Sequence, residues 1–287
     1  MIGTVQGKVI VITGATSGLG RLAAIRLAQM GARLVVVARD VRRANRTLAE
    51  LRAAGPGEGH TVHLADLSLI AEVRRVGAEI AAAEPRVDVL INNAGSIFGT
   101  RRVTRDGLEL TFATNHMAYF LLTQALLARL TAAAPARVVN TASGAHFGQR
   151  LDFDDLQSLR GYRAQTVYGR SKLANILFTR ELARRLAGTG VIANCLHPGF
   201  VATNFGQRGN GLFGVAVRIA MLFAGRPEPG AATIVYLASD PAVEGVSGEY
   251  FRDCQVRRPS AEALDDATAR RLWEESERIA SLSAPSP

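Results

Sequence analysis

Cysteine, histidine and long apolar runs are all scarce in this chain of 287 residues. Its two cysteines, Cys195 and Cys254, indicate no disulfide framework in a chain of this length, and we expect each to be a small core residue. The five histidines lack the spacing of zinc fingers or metalloproteases, so no metal site is predicted. They are His60, His63, His116, His146 and His197.

Membrane and export signals are missing as well. Hydrophobic residues make up 48% of the chain, but no uninterrupted apolar stretch reaches the roughly 20 residues that a transmembrane helix needs. The first apolar run, 9–12, leads directly into a glycine-rich turn and does not resemble a signal peptide. The sequence therefore predicts a cytoplasmic protein without membrane contact. No linker or internal repeat precedes residue 284, so residues 1–287 are predicted to form one domain.

Lysine occurs twice, as Lys8 and Lys172, so arginine supplies nearly all of the positive charge behind a net charge of +9. Clustered arginines can neutralise the phosphates of a nucleic acid, but here they are dispersed along the chain. The densest run, Arg42, Arg43 and Arg46, lies at the start of a predicted helix. Solvated helix faces explain most of these charges, and we predict no nucleic-acid partner.

Short β-branched runs alternate with longer amphipathic stretches along most of the chain. This alternation is typical of a parallel sheet wrapped by helices and joined by right-handed crossovers. The predicted strands are 8–13, 33–38, 61–64, 87–91, 137–141 and 191–196, and the predicted helices are 18–30, 41–54, 69–83, 107–130 and 164–186. The predicted fold class is α/β, a single-domain Rossmann fold with a doubly wound parallel sheet of about seven strands and helices on both faces.

A glycine-rich turn, 13–20, follows the first predicted strand and precedes a helix with apolar periodicity. Glycines there allow a tight turn and a close approach of the backbone to a pyrophosphate, while the helix supplies amide groups and the positive end of its dipole. Strand, turn, helix and second strand within about 30 residues predict a dinucleotide site. The cofactor-binding residues expected here are Gly14, Thr16, Ser17, Gly18, Leu19 and Gly20.

The end of the second predicted strand bears on the choice of cofactor. An acidic side chain at this point suits the ribose of NAD, whereas an arginine suits the 2′-phosphate of NADP. Arg39 occupies the position and favours NADP (as NADPH), although Asp40 beside it leaves NAD open. After the third strand, Asp66 and Leu67 are candidates for contact with the adenine, with helix capping as the alternative for Asp66.

Tyr168 and Lys172 lie four residues apart in a predicted helix, so their side chains share one face. At about 5 Å and an effective dielectric of about 20, a charged lysine stabilises a phenolate by roughly 3 kcal/mol. That interaction would lower the tyrosine pKa by about two units from its usual value of about 10 and make the tyrosine a usable acid or base. A surface helix pair without a catalytic role is the alternative.

Several further motifs follow in a fixed order. They are Asn92–Gly95 after the fourth predicted strand, Asn115 in a helix, Ser143 after the fifth strand and Pro198–Gly199 after the sixth. Together with the glycine-rich turn and the Tyr168/Lys172 pair, these motifs resemble the short-chain dehydrogenase/reductase family. The likeness covers about residues 5–280. The chain is most similar to the retinol dehydrogenase group of that family in segments 115–119, 152–156, 171–178, 196–199 and 245–251.

The resemblance implies reversible hydride transfer between a nicotinamide and a carbonyl or alcohol carbon. Tyr168 would exchange the proton, and Ser143 would hydrogen-bond the substrate oxygen. Lys172 would lower the tyrosine pKa and hold the nicotinamide ribose, and Asn115 would position a water that links the lysine to solvent. The alternatives are that Ser143 only closes a strand end and that Asn115 only kinks or bonds its own helix.

The same resemblance implies further cofactor contacts. The loop after the fourth strand would shape the floor under the cofactor, with a plain turn as the alternative. The segment after the sixth strand would meet the nicotinamide carboxamide, with helix capping as the alternative for Thr203. The residues expected are Asn93, Ala94 and Gly95 in the first loop, and Pro198, Gly199, Val201 and Thr203 in the second.

Residues 204–226 mix glycines with apolar side chains and are predicted to form a substrate lid beside the core 5–203. A core helix or a subunit contact is the alternative for this segment. The insertion 147–165 is expected to overhang the substrate entrance, and a C-terminal helix, 260–281, to cover the substrate side or a neighbouring subunit. An apolar carbonyl or alcohol substrate follows as a hypothesis.

We therefore expect an NADP(H)-dependent oxidoreductase that interconverts an apolar aldehyde or ketone and its alcohol. A biosynthetic ketoreductase for a polyketide-like or aromatic product and a noncatalytic NADP-binding sensor are the alternatives. Helices 107–130 and 164–186 pair between subunits in the resembled family, which implies a homodimer or homotetramer. Membrane-bound relatives carry an apolar N-terminal anchor, so the position of the first strand near the start of this chain predicts a soluble, bacterial-type member.

Overall fold

A single eight-stranded sheet forms the centre of the computed structural model, which describes residues 5–56, 59–199 and 228–282. The strands are β1 Val9–Thr13, β2 Arg33–Ala38, β3 Thr61–Leu64, β4 Val89–Asn92, β5 Ala136–Thr141, β6 Val191–His197, β7 Tyr250–Arg252 and β8 Gln255–Val256. They lie in the order β3-β2-β1-β4-β5-β6-β7-β8. All neighbours pair parallel except β7 and β8. The predicted parallel sheet is confirmed, with a two-residue antiparallel strand added at its edge.

Alternate side chains of the central strands pack into cores on opposite faces of the sheet. Val11 and Val35 belong to one core, whereas Ile10 and Leu34 belong to the other, and all four side chains are fully buried. Parallel strands that are covered on both faces need apolar residues at every position. This requirement explains why the strands appear in the sequence as continuous β-branched runs.

Helices cover both faces of the sheet. They are α1 Gly18–Gln29, α2 Val41–Ala54, α3 Ile70–Ala83, α4 Leu110–Phe112, α5 Ala118–Ala132, α6 Ala164–Arg185, α7 Glu228–Ser239 and α8 Asp266–Leu282. Apolar residues of α3, α5 and α6 join one core, and those of α1, α2 and α7 join the other, which confirms the doubly wound α/β fold. Among the helices in the described ranges, none has both the length and the apolarity required to cross a membrane.

The predicted helix 107–130 is wrong at its start and is interrupted in the structure. Gly107 has a φ of +78°, outside the α-helical region. The Glu109 carboxylate then accepts hydrogen bonds from the backbone N–H groups of Thr111 and Phe112, at 2.8 Å each, and so begins α4. A π-helical turn, Ala113–Met117, joins α4 to α5. Such turns are frequent at functional sites, and this one carries Asn115.

Helix α8 packs against α5 and α6 of its own chain. The Trp273 ring is 5% exposed and lies 5.1 Å from the Phe120 ring and 5.8 Å from the Phe178 ring, measured between centres. The Arg185 guanidinium lies 4.3 Å from the Trp273 ring centre. The sequence predicted that this helix covers the substrate side or a neighbouring subunit, but its tryptophan covers helices of the same chain. Pairing of α5 and α6 between subunits stays a prediction.

Candidate active site

Lys172 lies in the middle of α6, against the carboxyl end of β5, and is 2% exposed. Its Nζ donates to the carbonyl oxygen of Thr141, the last residue of β5, at 2.9 Å. The same nitrogen lies 5.6 Å from the ring centre of Tyr168 and 5.7 Å from that of Tyr119. The structure therefore places Tyr168 and Lys172 side by side, with a second tyrosine across the amine.

Burial, rather than mutual attraction, dominates the pKa values of this pair. Burial lowers the pKa of Lys172 to about 7. It also raises the pKa of Tyr168 to about 12, against a hydrogen bond from Ser143 that lowers it. Burial therefore sets both pKa values in this structure, and a lowering of the tyrosine pKa by the lysine stays a prediction. Removal from water disfavours both charged forms, and an amine that loses its charge near neutral pH stabilises a phenolate weakly.

Ser143 follows β5 and begins the 3₁₀ turn Gly144–His146. Its Oγ accepts a hydrogen bond from the Ala145 N–H at 3.2 Å, and its hydroxyl bonds to the Tyr168 phenol. Helix α6 comes close to this turn because Gly169 has no side chain, since a Cβ there would overlap the Ala145 carbonyl oxygen. The fold thus holds the serine hydroxyl and the phenol in contact.

Asn115 ties the π-helical turn to two neighbouring segments. Its Nδ2 donates to Ser96 O at 2.9 Å and to Ser171 Oγ at 3.0 Å, and its Oδ1 accepts from Ser96 N at 2.8 Å. Ser171 Oγ in turn donates to the carbonyl oxygen of Tyr168 at 2.7 Å. Both amide protons of Asn115 are therefore used to hold the loop after β4 and helix α6 in place. The water-binding role that the resemblance implies stays a prediction.

The loop after β4 connects the end of β1 with the candidate catalytic groups. Thr13 Oγ1 accepts from Asn93 N at 2.9 Å, and Asn93 Nδ2 donates to Thr13 O at 3.1 Å. Further along the loop, a Cβ on Gly95 would lie 3.2 Å from Asn115 Oδ1 and 3.4 Å from Lys172 Nζ. A side chain at this glycine would press on both groups, so the loop has to pass close to them as bare backbone.

The glycine-rich turn after β1 is packed so tightly that two of its glycines have no room for a side chain. A Cβ on Gly14, whose φ is +71°, would lie 2.8 Å from Ala94 Cα. A Cβ on Gly20 would lie 2.5 Å from the Gly14 carbonyl oxygen and would overlap the Asn93 side chain. The first turn of α1 also receives no side-chain cap from its N-cap residue. Partly exposed residues complete the turn, and they are Thr16, Ser17, Gly18 and Leu19.

Arg39 and Asp66 meet where β2 and β3 end. Arg39 Nη1 lies 3.9 Å from Asp66 Oδ2, and the two side chains are 55% and 38% exposed. Asp66 Oδ1 accepts from Ser68 N at 3.1 Å and Ser68 Oγ at 2.8 Å, which closes a local turn. It does not cap α3, because the N–H of Ile70, the first residue of that helix, donates to Asp106 Oδ2 at 2.8 Å. The capping alternative for Asp66 is therefore wrong.

Asp40, the residue that left NAD open, has a structural partner. Its Oδ1 accepts from the Arg43 N–H at 2.9 Å, and this bond caps α2 and lowers the pKa of the carboxyl. A carboxylate used in this way is a weaker candidate for a ribose contact than the exposed Arg39 is for a phosphate. Leu67, the other predicted adenine contact, is partly buried and packs against the core.

The end of β6 leads into Pro198 and Gly199, and Gly199 has a φ of +80°. Helix α7 comes close to this segment and to the glycine-rich turn. A Cβ on Gly230, in its first turn, would overlap the Pro198 carbonyl oxygen and lie 2.8 Å from Leu19 Cδ2. The remaining predicted residues on this side of the site lie outside the described residues, and they are Val201, Thr203 and the lid 204–226.

Sequence reasoning missed the residues that contact the candidate catalytic groups. Besides Thr13, Tyr119 and Ser171, these include Asn175, whose Nδ2 donates to Thr141 O at 3.2 Å, the oxygen that also accepts from the lysine. Helical spacing was the available signal. Tyr119 lies four residues after Asn115, and Asn175 lies three after the lysine, so each shares a helix face with a predicted site residue.

Comparison with known proteins identifies the family of this chain. The family model described as short chain dehydrogenase matches residues 8–210. The chain belongs to the short-chain dehydrogenase family. It is 44% identical over 291 residues to retinol dehydrogenase 14 of Mus musculus, with 96% of this chain and 86% of that protein covered. This short-chain dehydrogenase is therefore an oxidoreductase of the retinol dehydrogenase-like type.

Solved structures share the fold of this short-chain dehydrogenase. A protein of Mycobacterium paratuberculosis is 33% identical with a TM-score of 0.77, and the match covers 98% of this chain and 96% of that one. The RhlG/NADP complex of Pseudomonas aeruginosa is 29% identical with a TM-score of 0.69, and the match covers 86% of this chain and 95% of that one. A protein with a related fold, RhlG, thus binds NADP at its active site.

The residues of this short-chain dehydrogenase fit a nicotinamide dinucleotide. Gly14 and Gly20 let the turn pack closely against Asn93 and Ala94, and the first turn of α1, which has no side-chain cap, has N–H groups to bond a pyrophosphate. At the other end of the site, Lys172 has the donors to bond a ribose hydroxyl. The fit rests on close packing at the glycines and on donor chemistry at the lysine.

Proposed function

We propose that this short-chain dehydrogenase is an NADP(H)-dependent oxidoreductase that interconverts an apolar aldehyde or ketone and the corresponding alcohol. The contact between Ser143 and Tyr168, with Lys172 beside the phenol, supports this proposal most strongly. A protein that only binds a dinucleotide has no chemical need for the tyrosine beside the lysine. Burial of that amine works against its charge, so a fold that keeps it there has a use for it.

The protein would supply the proton in this reaction, while the bound dinucleotide supplies or accepts the hydride. In the direction of reduction, Tyr168 Oη donates its proton to the substrate oxygen, and the Ser143 hydroxyl turns from the phenol to bond the same oxygen. A tyrosine pKa of about 12 keeps the phenol protonated at neutral pH, so the acid is ready before substrate enters. Lys172 Nζ, with a pKa of about 7, can return a proton towards the phenolate that remains.

The preference for NADP rests on the groups at the end of β2. The Arg39 guanidinium is 55% exposed and lies near Asp66, which an arriving phosphate can replace as its partner. The neighbouring acid, Asp40, is used as the cap of α2. The RhlG/NADP complex, which has a similar fold, adds support. Arg39 would therefore bond the 2′-phosphate of the cofactor.

The apolar substrate is inferred from the relatives and from one exposed side chain. Phe147, directly after the turn that carries Ser143, is 53% exposed and belongs to the insertion 147–165. The curated relative of Mus musculus is named for its action on retinol, so retinal heads the substrates to test. A cytoplasmic location, a homodimeric or homotetrameric assembly and a lid formed by 204–226 remain part of the proposal.

The proposal is tested by following oxidation of NADPH and of NADH, in parallel, across a graded panel of aldehydes and ketones that includes retinal. We expect turnover with NADPH that rises with substrate apolarity. Tyr168→Phe should lower kcat about a thousandfold, because it removes the proton donor and keeps the ring. Its affinity for NADPH should stay within about threefold of wild type, because the substitution removes the general acid and removes no contact that binds the cofactor.

Three other results would redirect the assignment. Wild-type turnover in Tyr168→Phe would overturn the role of the phenol. Tight binding of NADPH without turnover on any carbonyl would favour the noncatalytic sensor. Turnover confined to polyketide-like or aromatic ketones would favour the biosynthetic ketoreductase, which uses the same catalytic groups.

A further inference from the structure

His146 closes the turn that carries Ser143 and is fully buried, with 0% exposure. Its Nδ1 lies 2.6 Å from the Ser143 carbonyl oxygen, and the Ser260 N–H donates to its Nε2 at 3.1 Å. Ser260 belongs to the segment that leads into α8, so the ring joins the catalytic turn to the C-terminal part of the chain. We propose that His146 is a positioning residue that holds the Ser143 hydroxyl against Tyr168. The proposal rests on the function proposed above.

The two hydrogen bonds define the protonation of the ring. A backbone N–H can only donate, so Nε2 must accept from Ser260 and carries no proton. A carbonyl oxygen can only accept, so Nδ1 must carry the proton that it donates to Ser143. His146 is therefore the neutral tautomer with the proton on Nδ1. Any other protonation state breaks one of the two bonds.

The bond to Ser143 restrains the residue at a point close to its hydroxyl. The Ser143 carbonyl oxygen accepts from the His146 backbone N–H at 3.2 Å as well as from the ring, and Ser143 Oγ accepts from Ala145 N at 3.2 Å. Residues of a single turn thus hydrogen-bond both the carbonyl oxygen and the hydroxyl oxygen of Ser143. Because the ring fixes that turn against Ser260, the position of the hydroxyl depends on a contact far along the chain.

The surroundings of the ring favour the neutral form. Burial lowers the pKa of His146, against the opposing effects of the bond to Ser143 and of the Glu262 carboxylate. Glu262 lies 3.5 Å from the Arg150 guanidinium, which shares its charge. The other titratable groups beside the ring are His197 at the end of β6 and Tyr250 of β7, whose ring centre lies 5.1 Å away. A neutral ring at physiological pH keeps both bonds intact.

The first test separates positioning from binding. His146→Ala should lower kcat about 10- to 100-fold, since a displacement of about 1 Å at a catalytic group has an effect of that size. KM for the carbonyl and the Kd of NADPH should change less than about threefold, because neither ligand meets the ring. His146→Asn should recover much of the lost kcat, since its Nδ2 can take the place of Nδ1 as donor to Ser143.

Asp265→Ala is the matched control. Asp265 Oδ1 accepts from Ala267 N at 2.9 Å and Thr268 N at 3.1 Å, so its loss loosens the start of α8 without touching Ser143. The control should lower Tm and leave kcat unchanged. A kcat in His146→Ala equal to that of wild type would overturn the proposal. It would also be overturned if Asp265→Ala and His146→Ala lost kcat equally, or if His146→Asn recovered nothing.

A second measurement needs no turnover. The chain has five tyrosines, so ¹³Cζ-tyrosine NMR gives a small set of signals, and Tyr168→Phe identifies the one of interest. Ser143→Ala removes the hydrogen bond to the phenol and defines the direction of the shift. His146→Ala should move the signal in that direction, and an unmoved signal would overturn the proposal. A shifted signal in an enzyme that reduces no carbonyl would instead leave His146 as the group that positions Ser143 and refute the proposed function.

Discussion

The two ends of the proposed cofactor site have opposite physical character. At the adenine end, Arg39 and Asp66 are 55% and 38% exposed and lie 3.9 Å apart, so water screens both charges. At the proposed catalytic end, Lys172 is 2% exposed and Asn115 is fully buried. The first end can select a charged ligand with little effect on folding. The second end builds its chemistry from groups whose charges the fold disfavours, so changes there alter stability and activity together.

The largest effect should come from Lys172→Met at the catalytic end. Because burial lowers the lysine pKa to about 7 from its usual 10.5, the folded chain binds fewer protons than the unfolded chain between these values. Stability contributed by this group therefore rises with pH across that interval, and at neutral pH its burial opposes folding. The variant should lose kcat about a thousandfold and gain a few kcal/mol of unfolding free energy at neutral pH, measured by urea denaturation.

The other lysine gives the control for that prediction. Lys8 Nζ lies 3.0 Å from Asp88 Oδ1, and their side chains are 37% and 2% exposed. Lys8→Met should weaken the fold slightly, because it leaves a buried carboxylate with one partner fewer. A loss of stability in both lysine variants would mean that burial of Lys172 does not oppose folding.

Acidification should have an effect of intermediate size on stability, again through a group at the proposed catalytic end. Burial lowers the pKa of His116, in the π-helical turn, to about 4. The unfolded chain protonates this group at about 6.5, so its contribution to stability is present above that pH and is lost as the pH falls towards 4. The free energy of unfolding should drop by about 2 kcal/mol between about pH 7.5 and about pH 5 through this group alone.

Urea denaturation at both pH values measures that loss, and His116→Gln provides the comparison. The variant should lose less stability than wild type on acidification, because glutamine does not titrate. An equal loss in both proteins would assign the acid sensitivity to other groups, such as His197, whose pKa burial lowers to about 4.

The smallest effect should come from the adenine end. Arg39→Ala should lower the preference for NADPH over NADH about 10- to 30-fold, since it removes charge-assisted bonds to the 2′-phosphate. The change should appear in the Kd or KM of NADPH, with kcat at saturation and Tm nearly unchanged. Arg52→Ala, an exposed arginine near the end of α2, is the control and should leave the preference as it is. Equal effects of the two variants would point to general charge rather than to a phosphate contact.

Local sequence patterns were enough to predict most of the fold. Strands β2 and β3 have the predicted bounds 33–38 and 61–64, because short β-branched runs between turn signals leave little choice. The helix predicted at 107–130 failed at its start, since the sequence pattern could not show that Gly107 adopts a φ of +78° or that Glu109 caps the chain. Asn115 in the π-helical turn bonds Ser96 and Ser171 from distant segments, and no local pattern contains these contacts.

The candidate site was predictable in its residue types and not in its electrostatics. Glycine spacing and the Tyr168/Lys172 pair mark the site because each chemical task restricts the residue type. The pKa values depend instead on how much of the surrounding chain removes water from the phenol and the amine, and that quantity is set by contacts between distant segments. The link from Asn115 through Ser171 to the Tyr168 carbonyl is of the same kind.

Because lysine is scarce in this chain, cleavage after lysine can report how often helix α6 unwinds. A protease that cuts only after lysine has two targets in this chain, and one of them, Lys172, is 2% exposed within a helix. Cleavage there requires that the helix unwinds, whereas the target at Lys8 is 37% exposed at its side chain. The rate of cleavage after Lys172 therefore reports how often helix α6 unwinds. A ligand that stabilises the helix should slow this cleavage.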